Sequence, residues 1–83
     1  MNRRRDSIII VSEILSCAVK GVKKSEIMYK VGLSSAQLKK YVEFLLISKL
    51  LVENNHYQRP TFETTAKGKS FLEALERINK LLD

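Results

Sequence analysis

Apolar residues recur at helical spacing near the start of the chain, where Ile10, Val11, Ile14, Cys17 and Ala18 fall on one face. Ile8 and Leu15 widen that face while Ile9 points nearly away from it. The helix is therefore apolar around more of its circumference than a surface helix requires. Asp6 or Ser7 can cap it, and the pattern predicts a run to about Lys20 with Gly21 at its C-terminal end. Beyond Lys23-Lys24 a short second helix is expected over Glu26–Val31, capped by Ser25 and burying Ile27, Met28 and Val31.

The run Gly32-Leu33-Ser34-Ser35-Ala36-Gln37 is the most informative local feature. Gly32 suits the left-handed residue that ends a helix, because it has no Cβ to clash there. Leu33 can plug the angle between two helices. Ser34 followed three residues later by Gln37 is a capping box, which starts the next helix at once. Two helices joined by so tight a turn must cross steeply, as a helix-turn-helix does.

The third helix is expected from Ser35 to about Ser48, with Leu38, Tyr41, Val42 and Leu45 inward. Its opposite face shows Ala36, Gln37, Lys40, Glu43, Phe44 and Ile47, with Lys39 at the edge. After Lys49 the periodicity drops to about two. Leu50–Glu53 reads as a strand, Asn54-Asn55 as a turn signal, and Pro60–Thr64 as the returning strand. His56-Tyr57-Gln58-Arg59 then forms a polar, aromatic and cationic hairpin tip. Thr64 or Thr65 caps a last helix from Ala66 to Leu82, in which Phe71, Leu75, Ile78 and Leu82 recur at spacings of four, three and four.

Charge adds a partner class to this architecture. Of the formal net charge of +6, residues 1–41 hold all the excess, with nine Lys and Arg against Asp6, Glu13 and Glu26. Residues 42–83 hold six of each sign. One-sided basicity is the electrostatic footprint of a polyanion binder. Eighty-three residues make one domain with a thin core, which pairing with a second copy would relieve. Cys17 stands alone, so neither a disulfide framework nor a cysteine zinc site is expected. No run approaches the apolar length of a membrane span. The apolar stretch after Arg3-Arg4-Arg5 is broken at Ser12-Glu13, with no cleavage site following, so a cytoplasmic, nucleoid-associated location is expected.

The run from Lys24 to Tyr41 resembles the helix-turn-helix of small archaeal winged-helix proteins, including the crenarchaeal ten-kilodalton DNA-binding class and related plasmid and viral regulators. The resemblance extends through Asp6, Ile8 and Ile14-Leu15, resumes at Phe44-Leu45-Leu46 and at Thr65-Ala66-Lys67-Gly68 with Phe71-Leu72, and covers about residues 6–75. It implies a winged-helix fold, duplex DNA binding and dimerisation through the terminal helices. The chain departs from the pattern at three places. Lys49 stands where such proteins often have Gly, so it must adopt a positive φ or let the helix end differently. Ile9 and Ile47 stand where the pattern is usually polar, which offers apolar surface to a partner. A final helix stopping at Asp83 leaves only a short dimer seam.

The resulting expectation is a mostly helical α+β winged helix spanning 1–83, with a basic arm over 1–5, the helix-turn-helix and wing over 6–64, and a C-terminal dimerisation helix over 65–83. Gln37, Lys39 and Lys40 are the sharpest DNA-binding candidates, since Gln can pair with adenine and Lys can reach guanine or phosphate. The lesser alternative is an ordinary solvated helix face. Ser34 and Ser35 are read first as caps of the helix, and a capped helix N-terminus also suits a phosphate. His56, Gln58 and Arg59 at the wing tip could touch the minor groove, or form a solvated turn. Arg3, Arg4 and Arg5 are either an arm on DNA or a solubilising terminus. Ile9, Phe71, Leu75, Ile78 and Leu82 are the expected homodimer interface. Phe44 and Ile47 either cover the base of the wing or meet another chain. Cys17 is expected as a small core residue, and no catalytic constellation, metal site or cofactor motif is present. The role expected is a sequence-specific regulator of transcription acting on double-stranded DNA. A weakly specific chromatin-like binder and a protein-interaction module are the alternatives.

Overall fold

The computed structural model describes residues 7–56 and 59–82, in the order α1 (Ser7–Cys17), α2 (Lys24–Val31), α3 (Ser35–Ile47), β1 (Leu51–His56), β2 (Arg59–Thr64) and α4 (Ala66–Leu82). This is the helix, helix, helix, strand, strand, helix order expected from the periodicity. Ile14, Leu15, Ile27 and Leu45 are fully buried, so α1, α2 and α3 each put at least one side chain at the centre of the core.

Helix α1 stops at Cys17, three residues short of the expected Lys20. The reason lies in the wing. The buried hydroxyl of Thr64 donates to the Leu15 carbonyl at 2.7 Å, and the Thr64 amide donates to Ala18 O at 3.0 Å. Gly21, at φ +87°, turns its own amide onto Ala18 O at 3.1 Å. Val22 then exchanges both backbone bonds with Phe62, at 2.9 and 2.7 Å, and ties the α1–α2 connection to β2.

Helix α2 begins before Ser25, with Lys23 as its cap rather than Ser25. The Lys23 amide donates to the Glu26 carboxylate at 2.9 Å, so an acidic side chain in the first turn takes up the backbone donor of the cap itself. The following turn is built as the sequence indicates. Gly32 is left-handed at φ +78°, and its amide reaches Met28 O at 2.9 Å. Leu33 is buried in the angle between α2 and α3. Ser34 and Gln37 form the reciprocal box: Gln37 N–H donates to Ser34 Oγ at 3.2 Å, and Ser34 N–H donates to Gln37 Oε1 at 3.0 Å.

At the other end of α3, Lys49 takes the positive φ, at 64°. Leu50 N–H reaches back to Leu45 O at 2.9 Å and Lys49 N–H to Leu46 O at 3.1 Å, a left-handed helix stop made without glycine. The hydroxyl of Thr65 donates to Lys49 O at 2.7 Å, and the Lys67 ammonium donates to Ser48 O at 2.9 Å, so the start of α4 covers the carbonyls left free at the end of α3. Thr65 is also the α4 cap, accepting the Gly68 amide at 3.0 Å. Gly68 packs directly on the junction. A Cβ there would strike the Leu50 carbonyl oxygen and lie 2.6 Å from the Thr64 methyl.

The wing is longer than expected. Asn54 and Asn55 are strand residues paired with Thr61 and Pro60, not the turn. The Asn54 side-chain amide donates to Glu63 Oε1 at 3.2 Å, which uses its polarity across the ladder. The strands close at His56 opposite Arg59, and the connecting positions 57 and 58 lie outside the described residues.

Candidate nucleic-acid interface

The inward ridge of α3, Leu38, Val42 and Leu45, is buried against the other helices and fixes which face looks outward. Ala36, Lys40, Glu43 and Ile47 run along the middle of that outward face at helical spacing, and all four are exposed. Lys39 and Gln37 lie on opposite edges of it. Lys39 looks toward the wing, where it lines a crevice of about 400 Å³ with Lys24, Glu43, Glu53 and Pro60. Gln37 looks toward α1, where it lines a groove of about 490 Å³ with Ser7, Val11, Lys40, Tyr41 and Phe44. Across that groove the Tyr41 hydroxyl donates to Ser7 Oγ at 3.2 Å.

Gln37 therefore carries two demands. Its Oε1 is engaged by the Ser34 amide, whereas bidentate pairing with adenine needs that oxygen as acceptor and the amide nitrogen as donor. Lys39 and Lys40 are exposed, and among the described residues no capping bond engages them. Ser35 opens α3 and faces Lys24 and Ser25 across a cleft of about 150 Å³, so the N-terminal turns of α2 and α3 meet at one edge of the helix-turn-helix. Lys24 lines this cleft as well as the wing-side crevice and belongs with the candidate cations, although the sequence pattern does not select it. The signal for it is the Lys23-Lys24 pair at the start of a helix on the same motif.

Arg59 is exposed at the end of the wing, opposite His56. The candidates Gln58, Arg3, Arg4 and Arg5 lie outside the described residues. The expected dimer residues divide into two groups. Phe71 packs partly on the chain's own core and Leu75 is half-buried, whereas Ile9, Ile78 (50% exposed) and Leu82 (79% exposed) present apolar side chains to solvent. Ile8 and Leu81 are exposed too and extend this apolar surface.

Cys17 is half-buried at the α1–α2 contact. Burial pushes its thiol above the ordinary range, Lys30 opposes that shift and Glu26 adds to it, so the protonated form dominates at neutral pH. Among the described residues, no three His, Cys, Asp or Glu side chains gather as a metal would require, and no helix is long and apolar enough to cross a membrane.

The winged helix-turn-helix family model matches residues 4–83. An uncharacterized protein of Methanocaldococcus jannaschii is 32% identical over 95% of this chain, and the chain spans 36% of that relative's length. Two solved structures share the fold. Sso10a-2, a DNA-binding protein of Sulfolobus solfataricus, superposes with a TM-score of 0.80 at 23% identity, over 94% of this chain and 85% of its own. BpsR of Bordetella bronchiseptica, whose DNA binding is regulated by 6-hydroxynicotinic acid, gives 0.72 at 15% identity, over 86% of this chain and 55% of its own.

Proposed function

We propose a function on double-stranded DNA, from the premise that this chain belongs to the winged helix-turn-helix family. The chain acts as a sequence-specific, non-catalytic regulator of transcription, with α3 in the major groove and the wing on the backbone or adjacent minor groove. The observation that carries this reading is the outward face of α3. It is exposed along its length, bears Lys39 and Lys40, and has Lys24 beside its N-terminal half. These cations belong to the first 41 residues, which hold all of the chain's surplus positive charge. A groove lined by phosphates takes Lys24 and Lys39 at the wing-side edge of such a helix, and Lys40 on its outward face reaches guanine or phosphate.

The finer part of the reading is a two-fold homodimer. Helix α4 is 17 residues long, and its last two turns carry Ile78, Leu81 and Leu82 into solvent. Pairing α4 with α4, with Ile9 of α1 alongside, buries these side chains, contributing about 1.5–2.5 kcal/mol each for Leu81 and Leu82 and about 1 kcal/mol each for the half-exposed Ile78 and Ile9. A two-fold pair also presents two copies of α3 to successive major grooves, about 34 Å apart, which calls for an inverted-repeat target.

Titrating duplex binding against salt tests the DNA reading. The logarithm of the binding constant should fall steeply with the logarithm of salt concentration, with a slope reflecting about six to ten phosphate contacts per dimer, and Lys40→Ala should lower that slope by about one on any sequence. Absence of duplex binding at low salt, or affinity indifferent to salt, would remove the reading.

A further inference from the structure

The outward face of α3 carries more than lysines. Ala36 is exposed one turn before Lys40, Phe44 is 55% exposed one turn after it, and Ile47 is 80% exposed on the next turn. None of the three belongs to the core cluster. From Ala36 to Ile47 the helix advances about 16 Å, which passes four to five base pairs at about 3.4 Å each.

Two kinds of partner could cover these apolar side chains, and the charges among them decide between the two. Lys39, Lys40 and Glu43 interleave with Phe44 and Ile47 on the same three turns. An apolar protein surface laid over this face would strip water from those three charges and return no partner to them. A duplex receives every one: phosphates or guanine take the lysines, a cytosine amino group takes the carboxylate, and the C5 methyl of thymine takes the apolar groups. That methyl is the one apolar group that the base pairs offer in the major groove.

We propose that Phe44 and Ile47, with Ala36 at the other end of the same face, read thymine methyl groups, so that the target of this chain carries thymine on the strand facing α3. The proposal rests on the DNA-binding reading above and adds the chemistry of the site it recognises. In this assignment Gln37 is free to keep its capping bond, and the apolar side chains of the last turn of α3 supply specificity.

The test removes the methyl and nothing else. An A·T-rich duplex is compared with its twin in which every thymine is replaced by deoxyuridine, which keeps the pairing and the phosphate charge. Wild-type chain should bind the uracil twin more weakly, by about fourfold for each thymine methyl that the helix covers. Phe44→Ala and Ile47→Ala should weaken binding to the thymine duplex and narrow the difference between the twins. Both side chains are more than half exposed, so melting and helical signal should stay at wild-type values. Equal wild-type affinity for the twins overturns the proposal and leaves duplex binding standing. Variants that discriminate between the twins as well as wild type also overturn it, since the methyl is then sensed elsewhere. Failure to bind either duplex at low salt removes the DNA reading itself, and this proposal with it.

Discussion

Replacing Gly68 with Ala tests how α4 is seated on the junction between α3 and the wing. In an isolated helix the change is favourable, because Ala exceeds Gly in helix propensity by about 1 kcal/mol. The structure opposes it. The new Cβ meets the Leu50 carbonyl oxygen, which is backbone and cannot rotate away, and lies 2.6 Å from Cγ2 of Thr64, a residue only 3% exposed. Relief requires α4 to lift from Leu50 and the end of β2, which strains the Thr65 hydroxyl bond to Lys49 O and the Thr65 amide bond to Leu50 O. Overpacking of this kind costs about 1–3 kcal/mol, and a double contact that includes backbone belongs at the upper end. After subtracting the propensity gain, the expected loss is about 1–2 kcal/mol. For a domain of this size that lowers the melting temperature by roughly 5–15 °C. Urea and thermal unfolding followed by far-ultraviolet circular dichroism, at one fixed protein concentration, measure it. A variant as stable as wild type, or more stable, would mean that helix propensity wins and that the close approach at Gly68 does not govern the seating of α4.

Three further outcomes are expected. Thr64→Val keeps the shape of a buried side chain but removes the donor to Leu15 O, so it should cost about 1–2 kcal/mol, and native-state hydrogen exchange should quicken at the C-terminal turn of α1; unchanged stability would deny that this bond ends the helix. Gln37→Ala removes half of the capping box and should cost up to about 1 kcal/mol in unfolding experiments. If Gln37 also reads adenine, the same variant relaxes sequence preference on specific against random duplexes, whereas a pure cap leaves preference intact. Ile78→Asp places a charge on the exposed stripe of α4, and by sedimentation equilibrium it should turn a dimeric wild type into a monomer with most of its helical signal retained and most of its DNA affinity lost. A wild type that stays monomeric at tens of micromolar sinks the dimer.

Much of this fold is local and was legible in the chain. The box at Ser34 and Gln37, the left-handed Gly32 and the buried Leu33 are decided by residues within six positions of one another, so periodicity and capping chemistry determine α3 and the turn before it. The inward set Leu38, Val42 and Leu45 follows from the same spacing, and the outward set with Lys40, Phe44 and Ile47 follows by exclusion. The surplus of positive charge in residues 1–41 is likewise a property of the sequence. What the chain alone misplaced depends on partners far along it. Helix α1 ends at Cys17 because Thr64 and Gly21 take its last carbonyls, and Thr64 lies 49 residues from Leu15. Asn54-Asn55 reads as a turn by composition, but the ladder with Thr61 and Pro60 continues through it, since paired backbone and the Asn54–Glu63 bond outweigh a weak local preference. At Lys49 the chain leaves two helix ends open, and the positive φ is the one adopted: Leu50 closes the stop locally, while Thr65 and Lys67 reach its last carbonyls from the start of α4. Sequence determines where each helix wants to start and which face it hides. Tertiary contacts decide where α1 stops and how far the wing extends, because the donors and acceptors at those ends are closed by residues the local pattern cannot see.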